Sequence, residues 1–177
     1  LLGKMFVEDI IFVNNQTNKY SQTPLHYFFI QKNKFINDDK LKQLLSNGAN
    51  LSETDYNERT PLHYMALNNL DYTKILQKYI KSIDSEKRND IINAEDHERK
   101  TPLHYAVVNK SVEICKFLID NNANKSAIDN NNKTPIKYLN LKNTDAIYST
   151  KVSAIYKLFE PDIDEETRRE LFKYYAR

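Results

Sequence analysis

The chain has 177 residues, and its 26 Lys and Arg against 24 Asp and Glu leave a formal net charge of +2, too small a field to hold DNA or an anionic membrane. Its two Gly, isolated at Gly3 and Gly48, cannot build the G-x-G-x-x-G or G-x-x-x-x-G-K-[ST] loops that cradle phosphates. The lone Cys115 excludes an intrachain disulfide framework or a Cys-based zinc cluster and suits a reducing compartment, and no apolar run approaches the roughly 18 residues of a membrane span.

In chain order, residues 1–17 read as an N-terminal cap or degenerate unit. They lack the basic start and small-residue cleavage site of a signal peptide, and a first residue other than Met fits an excised part of something longer. A repeat then dominates. Thr23-Pro24-Leu25-His26 recurs as Thr60-Pro61-Leu62-His63 and Thr101-Pro102-Leu103-His104, and weakens to Thr134-Pro135-Ile136-Lys137. The spacings are 37, 41 and 33 residues. Five residues before each Thr stands Asn18, Asp55, Asp96 or Asp129; four after it stands Tyr27, Tyr64, Tyr105 or Tyr138.

Each Thr is suited to cap a helix, because its hydroxyl can accept from an orphan N–H of the first turn. Pro follows at the first helical position, where its missing donor costs nothing. A second helix is predicted in each unit, over 39–46, 71–81, 111–121 and 150–159. In the third, Val112, Cys115, Leu118 and Ile119 keep an amphipathic rhythm. Gly48 and Asn122 fall where such a helix ends in a left-handed residue. Extra residues in the first unit are placed at 33–38 and those of the second within 82–90, in loops. After residue 160 comes a separate closing helix, with Asp162 and Glu165 at capping-box spacing.

The T-P-L-H-x-A segments, the preceding Asp, and Gly48-Ala49-Asn50 and Asn122-Ala123-Asn124 after the second helices resemble the ankyrin repeat, over residues 18–159. The resemblance implies an all-α solenoid of about four stacked helix-turn-helix repeats (starting near 18, 55, 96 and 129) spanning 18–160, with helical capping segments at 1–17 and 161–177. It also implies that His26, His63 and His104 tie loop to helix start. The sequence departs from the family where Gly is usual, two residues before the Thr. Ser21, Glu58, Arg99 and Asn132 stand there, and a positive φ is costly for such residues.

No catalytic or metal site is expected. Successive His lie one repeat apart, about 10 Å at helix-packing distances, too far to converge on zinc. Cys115 lies on an apolar helix face and reads as buried rather than nucleophilic. The tyrosines four after each Thr read as packing residues rather than as a stacking platform for bases, so nucleic acid is not the expected partner.

The expected function is recognition of a partner protein or peptide on the concave face made by loop tips and first helices. The resemblance points to three ladders there: Gln22, Arg59, Lys100 and Lys133, mostly basic; Ile30, Leu67, Val108 and Leu141, apolar; and Gln31, Asn68, Asn109 and Lys142. Tyr20, Tyr56 and His97 at the tips are candidate anchors. An apolar strip beside positive charge fits an acidic, partly apolar partner surface. The protein is read as a cofactor-free, intracellular monomer that is not itself an enzyme. A second reading makes it the targeting arm of a larger enzyme or of an effector acting in a host cytoplasm, as its AT-rich amino-acid usage would fit.

Overall fold

The computed structural model describes residues 17–31, 37–139, 146–160 and 162–172. In chain order the helices are α1 (Pro24–Ile30), α2 (Asp38–Ser46), α3 (Pro61–Leu67), α4 (Thr73–Ser82), α5 (Ser85–Ile92), α6 (Pro102–Val108), α7 (Val112–Asp120), a 3-10 turn (Pro135–Tyr138), α8 (Ala146–Phe159) and α9 (Glu165–Phe172). Among the described residues there is no strand, and no helix is long and apolar enough to cross a membrane. Two rows of helices result: α1, α3, α6 and the 3-10 turn stack in one, α2, α4, α7 and α8 in the other.

The seven-residue first helices are too short to persist alone in water. They exist because each buries its inward side against its neighbours. Leu25, Leu62, Leu103 and Ile136, two residues after each Thr, are buried, as are Phe29, Ala66 and Val107 four residues further on. The second row adds Leu41, Leu44, Leu76, Ile80, Ile114, Leu118, Val152, Ile155 and Phe159 to the same continuous core.

Helix ends are closed by backbone geometry. After α2, the Gly48 N–H donates to Leu45 O (3.1 Å) and the Ala49 N–H to Leu44 O (3.0 Å), the paired bonds of a Schellman motif, with Gly48 left-handed at φ 87°. Asn122 (φ 69°) does the same after α7, as the sequence led us to expect. Asn69 (φ 53°) and Lys110 (φ 55°) close α3 and α6 in the same way.

Three expectations are corrected. The residues placed in a loop at 82–90 form α5 instead. Asp84 accepts from the Lys87 N–H at 2.8 Å, Ile91 and Ile92 are buried, and the Arg88 guanidinium donates to Ile80 O and Ile83 O, both at 3.0 Å. The insertion is helical because it has its own cap and apolar side, and it satisfies carbonyls left over at the end of α4. The closing helix is capped by Asp164, not Asp162: Asp164 Oδ1 accepts from the Thr167 N–H at 2.7 Å, while Asp162 pairs with Lys125. Lastly, the opening helix of the fourth unit tightens to a single 3-10 turn. The extra residues expected at 33–38 fall largely outside the described residues.

Candidate protein-binding surface

Three of the loop tips are each organised by one carboxylate. Asp96 Oδ1 accepts from the N–H groups of Glu98 and Lys100, both at 2.9 Å, and Oδ2 accepts from the Tyr105 hydroxyl at 2.6 Å. Asp55 repeats this with Asn57 (2.8 Å), Arg59 (3.1 Å) and Tyr64 (2.5 Å), and Asp129 with Asn131 (2.9 Å), Lys133 (3.0 Å) and Tyr138. Burial alone would raise these carboxyls, but the tyrosine hydroxyls and tip amides outweigh it and hold all three below the ordinary carboxylate value. Asn18 supplies the same two backbone bonds in the first tip.

This clamp forces the tip residue two before each Thr into the left-handed region: Ser21 (φ 59°), Glu58 (59°), Arg99 (58°) and Asn132 (56°). The tips therefore hold a left-handed residue where the resemblance led us to expect glycine. The steric cost is of order 1–2 kcal/mol per residue, against at least four hydrogen bonds accepted by the side chain and carbonyl of each tip Asp.

The His ties are inter-repeat links. His63 Nδ1 accepts from the Thr60 N–H at 3.0 Å, which places the ring hydrogen on Nε2, and Nε2–H donates to Lys100 O of the next repeat at 2.9 Å. His26 reaches Arg59 O (2.8 Å) and His104 reaches Lys133 O (3.1 Å) in the same way. Each ring also meets the following repeat's tyrosine edge-on at 6.0 Å. Burial lowers all three imidazoles, His63 to about 4.

The three predicted ladders divide between scaffold and surface. Arg59 turns into the next repeat. Its Nε lies 3.3 Å from Asp96 Oδ2, one terminal nitrogen donates to the Tyr105 hydroxyl at 3.0 Å, and the guanidinium covers the Tyr105 ring at 5.4 Å. Gln22 donates to the Tyr64 hydroxyl at 3.4 Å. Lys100 pairs with Glu98 and lies over the Tyr138 ring at 5.6 Å. Lys133 is exposed, 5.1 Å from the Tyr138 ring centroid.

The amide ladder caps helices. Asn68 Nδ2 donates to Phe29 O, and Asn109 Nδ2 to Ala66 O and Leu67 O, all at 2.9 Å. These are carbonyls of the preceding repeat's first helix, which lack partners within it. Gln31 is half-buried. In the apolar ladder Ile30 and Leu67 are half-buried against the core, whereas Val108 is 48% exposed. Leu141 and Lys142 lie outside the described residues.

At the tips, Tyr20 is 52% and Tyr56 72% exposed. The two are brought side by side, because the Tyr56 N–H donates to Tyr20 O at 3.2 Å. His97 stands exposed at the matching place one repeat on, its N–H bonded to Asn57 O at 3.0 Å. The sequence reading missed the double-acceptor role of Asp55, Asp96 and Asp129, although their fixed spacing from Thr and Tyr was its visible trace. Cys115 is fully buried, and burial pushes its thiol up to about 12.

Stacked helix-turn-helix units joined by extended tips define a solenoid repeat protein. A family model described as ankyrin repeats matches the chain in three overlapping copies, over residues 3–89, 34–129 and 83–147. The chain belongs to the ankyrin-repeat family. No curated protein matches the chain. Ankyrin repeats are in general protein–protein interaction modules, typically without catalysis of their own.

Proposed function

We propose that this protein is a non-catalytic module that binds a partner protein or peptide along its row of loop tips and the adjoining ends of the first helices. The observation that carries the reading is the exposed pair Tyr20 and Tyr56, held on tips whose backbone is clamped by the side chains of half-buried Asn18 and buried Asp55. Such an anchor loses little ordering entropy when it meets a partner, and tyrosine is enriched among the residues that dominate binding energy. Val108 extends the apolar contact on α6. The absence of a catalytic role rests on the same geometry: the three scaffold imidazoles are engaged on both ring nitrogens, and Cys115 is buried as the thiol.

Preference for acidic groups rests on fewer charges than the sequence implied, since Arg59 is neutralised by Asp96. Lys133 and Lys19 remain exposed to supply it. The module acts as a monomer inside a cell. The test is capture of a partner from a eukaryotic lysate by wild type and by the Tyr20→Ser, Tyr56→Ser double variant. The reading expects capture to be lost while circular dichroism is unchanged; a partner held equally by both proteins would overturn it.

A further inference from the structure

We propose that the row of tips docks an extended, proline-rich peptide in the polyproline II conformation, with acidic residues flanking its proline core; this rests on the tips being the binding surface. The argument begins with the backbone. In the tip 55–59 all five N–H groups are already spent: Asp55 on Arg59 O, Tyr56 on Tyr20 O, Asn57 and Arg59 on Asp55 Oδ1, and Glu58 on Asp55 O. The tips 96–100 and 129–133 are spent in the same five ways. A partner strand added to this edge would find no donors for its carbonyls, and main-chain pairing is what gives strand addition its affinity. Recognition here must come from side chains.

Among charged and amide side chains, the tips present two exposed tyrosines. Tyr20 and Tyr56 stand next to each other and His97 follows one repeat on. A polyproline II segment suits such a surface, since it has no internal hydrogen bonds and prolines contribute no N–H that would need an acceptor. Its rings pack on aromatic faces while its carbonyls can take hydrogen bonds from tyrosine hydroxyls. The periods also agree. Packed helices lie roughly 10 Å apart, and three polyproline II residues advance about 9 Å, so every third residue meets a new repeat. Four tips span roughly 30 Å, the length of about ten such residues.

Charge sets the flanks. Lys19 lies 5.0 Å over the Tyr20 ring at one end of the row, and Lys133 is exposed at the other. Between them Arg99 is paired with Glu95 and Lys100 with Glu98. The positive charge is therefore at the ends, where an Asp or Glu on either side of a proline core would sit.

The experiment is selection from a random 12-residue displayed-peptide library against the full chain, followed by fluorescence-anisotropy titration of the winners. The expected winners carry Pro at three-residue spacing with a flanking Asp or Glu. They should lose at least tenfold in affinity for the Tyr20→Ala, Tyr56→Ala variant, whose circular dichroism and melting temperature match wild type because both side chains are exposed. A Gly/Ser peptide of equal length and charge should bind at least tenfold more weakly. Winners without proline enrichment that still depend on the two tyrosines would overturn the peptide class and leave the surface standing. Winners indifferent to the tyrosines, or no enrichment at all, would overturn the proposal, and the lysate capture then decides separately whether the tips bind anything.

Discussion

Mild acid should loosen the stack well before it titrates the carboxylates. His63 is fully buried, with Nδ1 accepting from a backbone N–H and Nε2–H donating to the next repeat, so a second ring proton would have to displace the Thr60 contact in a water-excluded site. Its folded-state value is about 4, against 6.5 for an ordinary imidazole. Below pH 6.5 the unfolded chain therefore takes up a proton that the folded chain refuses until about pH 4. Stability is full above pH 6.5 and falls as the pH drops through that window, by about 1.4 kcal/mol per pH unit and roughly 3 kcal/mol in all for this one residue. His26 and His104 are lowered for the same reason and act in the same direction. The Asp55, Asp96 and Asp129 carboxyls are depressed, so their contribution is present above the unfolded value of 3.8 and disappears only as the pH falls further. Between pH 6.5 and about 4.5 the loss belongs to the imidazoles. Against a total stability of about 5–15 kcal/mol for a typical domain, it is large. Urea titrations followed by circular dichroism at pH 7, 6 and 5 measure it directly. His63→Asn should be less stable at pH 7 but lose less between pH 7 and 5, by about one proton's worth of slope. A wild-type free energy that is flat from pH 7 to 5, or a variant with unchanged slope, would refute the reasoning.

Asp96→Ala strands two tip amides, the Tyr105 hydroxyl and the half-buried Arg59; it should cost about 3–5 kcal/mol in a urea titration, and Asp96→Asn, which keeps an acceptor for the amides, clearly less. Glu58→Gly and Arg99→Gly each relieve a left-handed residue and should raise stability by up to about 1 kcal/mol after glycine's greater entropy loss, whereas Glu58→Val should lower the melting temperature. Asn109→Ala removes the side-chain bonds to Leu67 O and to Ala66 O, the latter still held by the Asn69 N–H, and should cost about 1 kcal/mol. Cys115 should resist Ellman's reagent in the native protein and react only as fast as the fold opens, given its burial and a thiol pushed up to about 12; prompt labelling at pH 8 would contradict its placement.

Local chemistry made much of the architecture readable. A Thr-Pro pair caps and starts a helix from within four residues, and Gly48 and Asn122 end one, whatever the rest of the chain does. The repetitions of that signal carried the resemblance to the ankyrin repeat, and the resemblance implied the scaffold role that His26, His63 and His104 take. The fate of long side chains was another matter. Arg59 looks the same in sequence whether it faces a partner or the next repeat. The stacking put Asp96 and the Tyr105 hydroxyl within its reach, and a half-buried ion pair formed instead of a free charge. Asn68 and Asn109 were drawn in by carbonyls some forty residues away in sequence, which no local pattern displays.

The tip conformation and the insertion follow the same division. Glycine's absence at Glu58 and Arg99 argued against a positive φ, but the Asp side chain bonding two amides and a tyrosine outweighs that local cost only once the tyrosine's helix is packed behind the tip. Likewise α5 is helical because Ile91 and Ile92 find a core to bury in and Arg88 finds the open end of α4. By itself, then, the sequence determined where the Thr-Pro segments open a helical turn, where α2 and α7 end and that the units repeat, since those depend on neighbours within a turn. Which side chains remain outward to meet a partner was decided by tertiary structure, because exposure depends on groups that only stacking brings together.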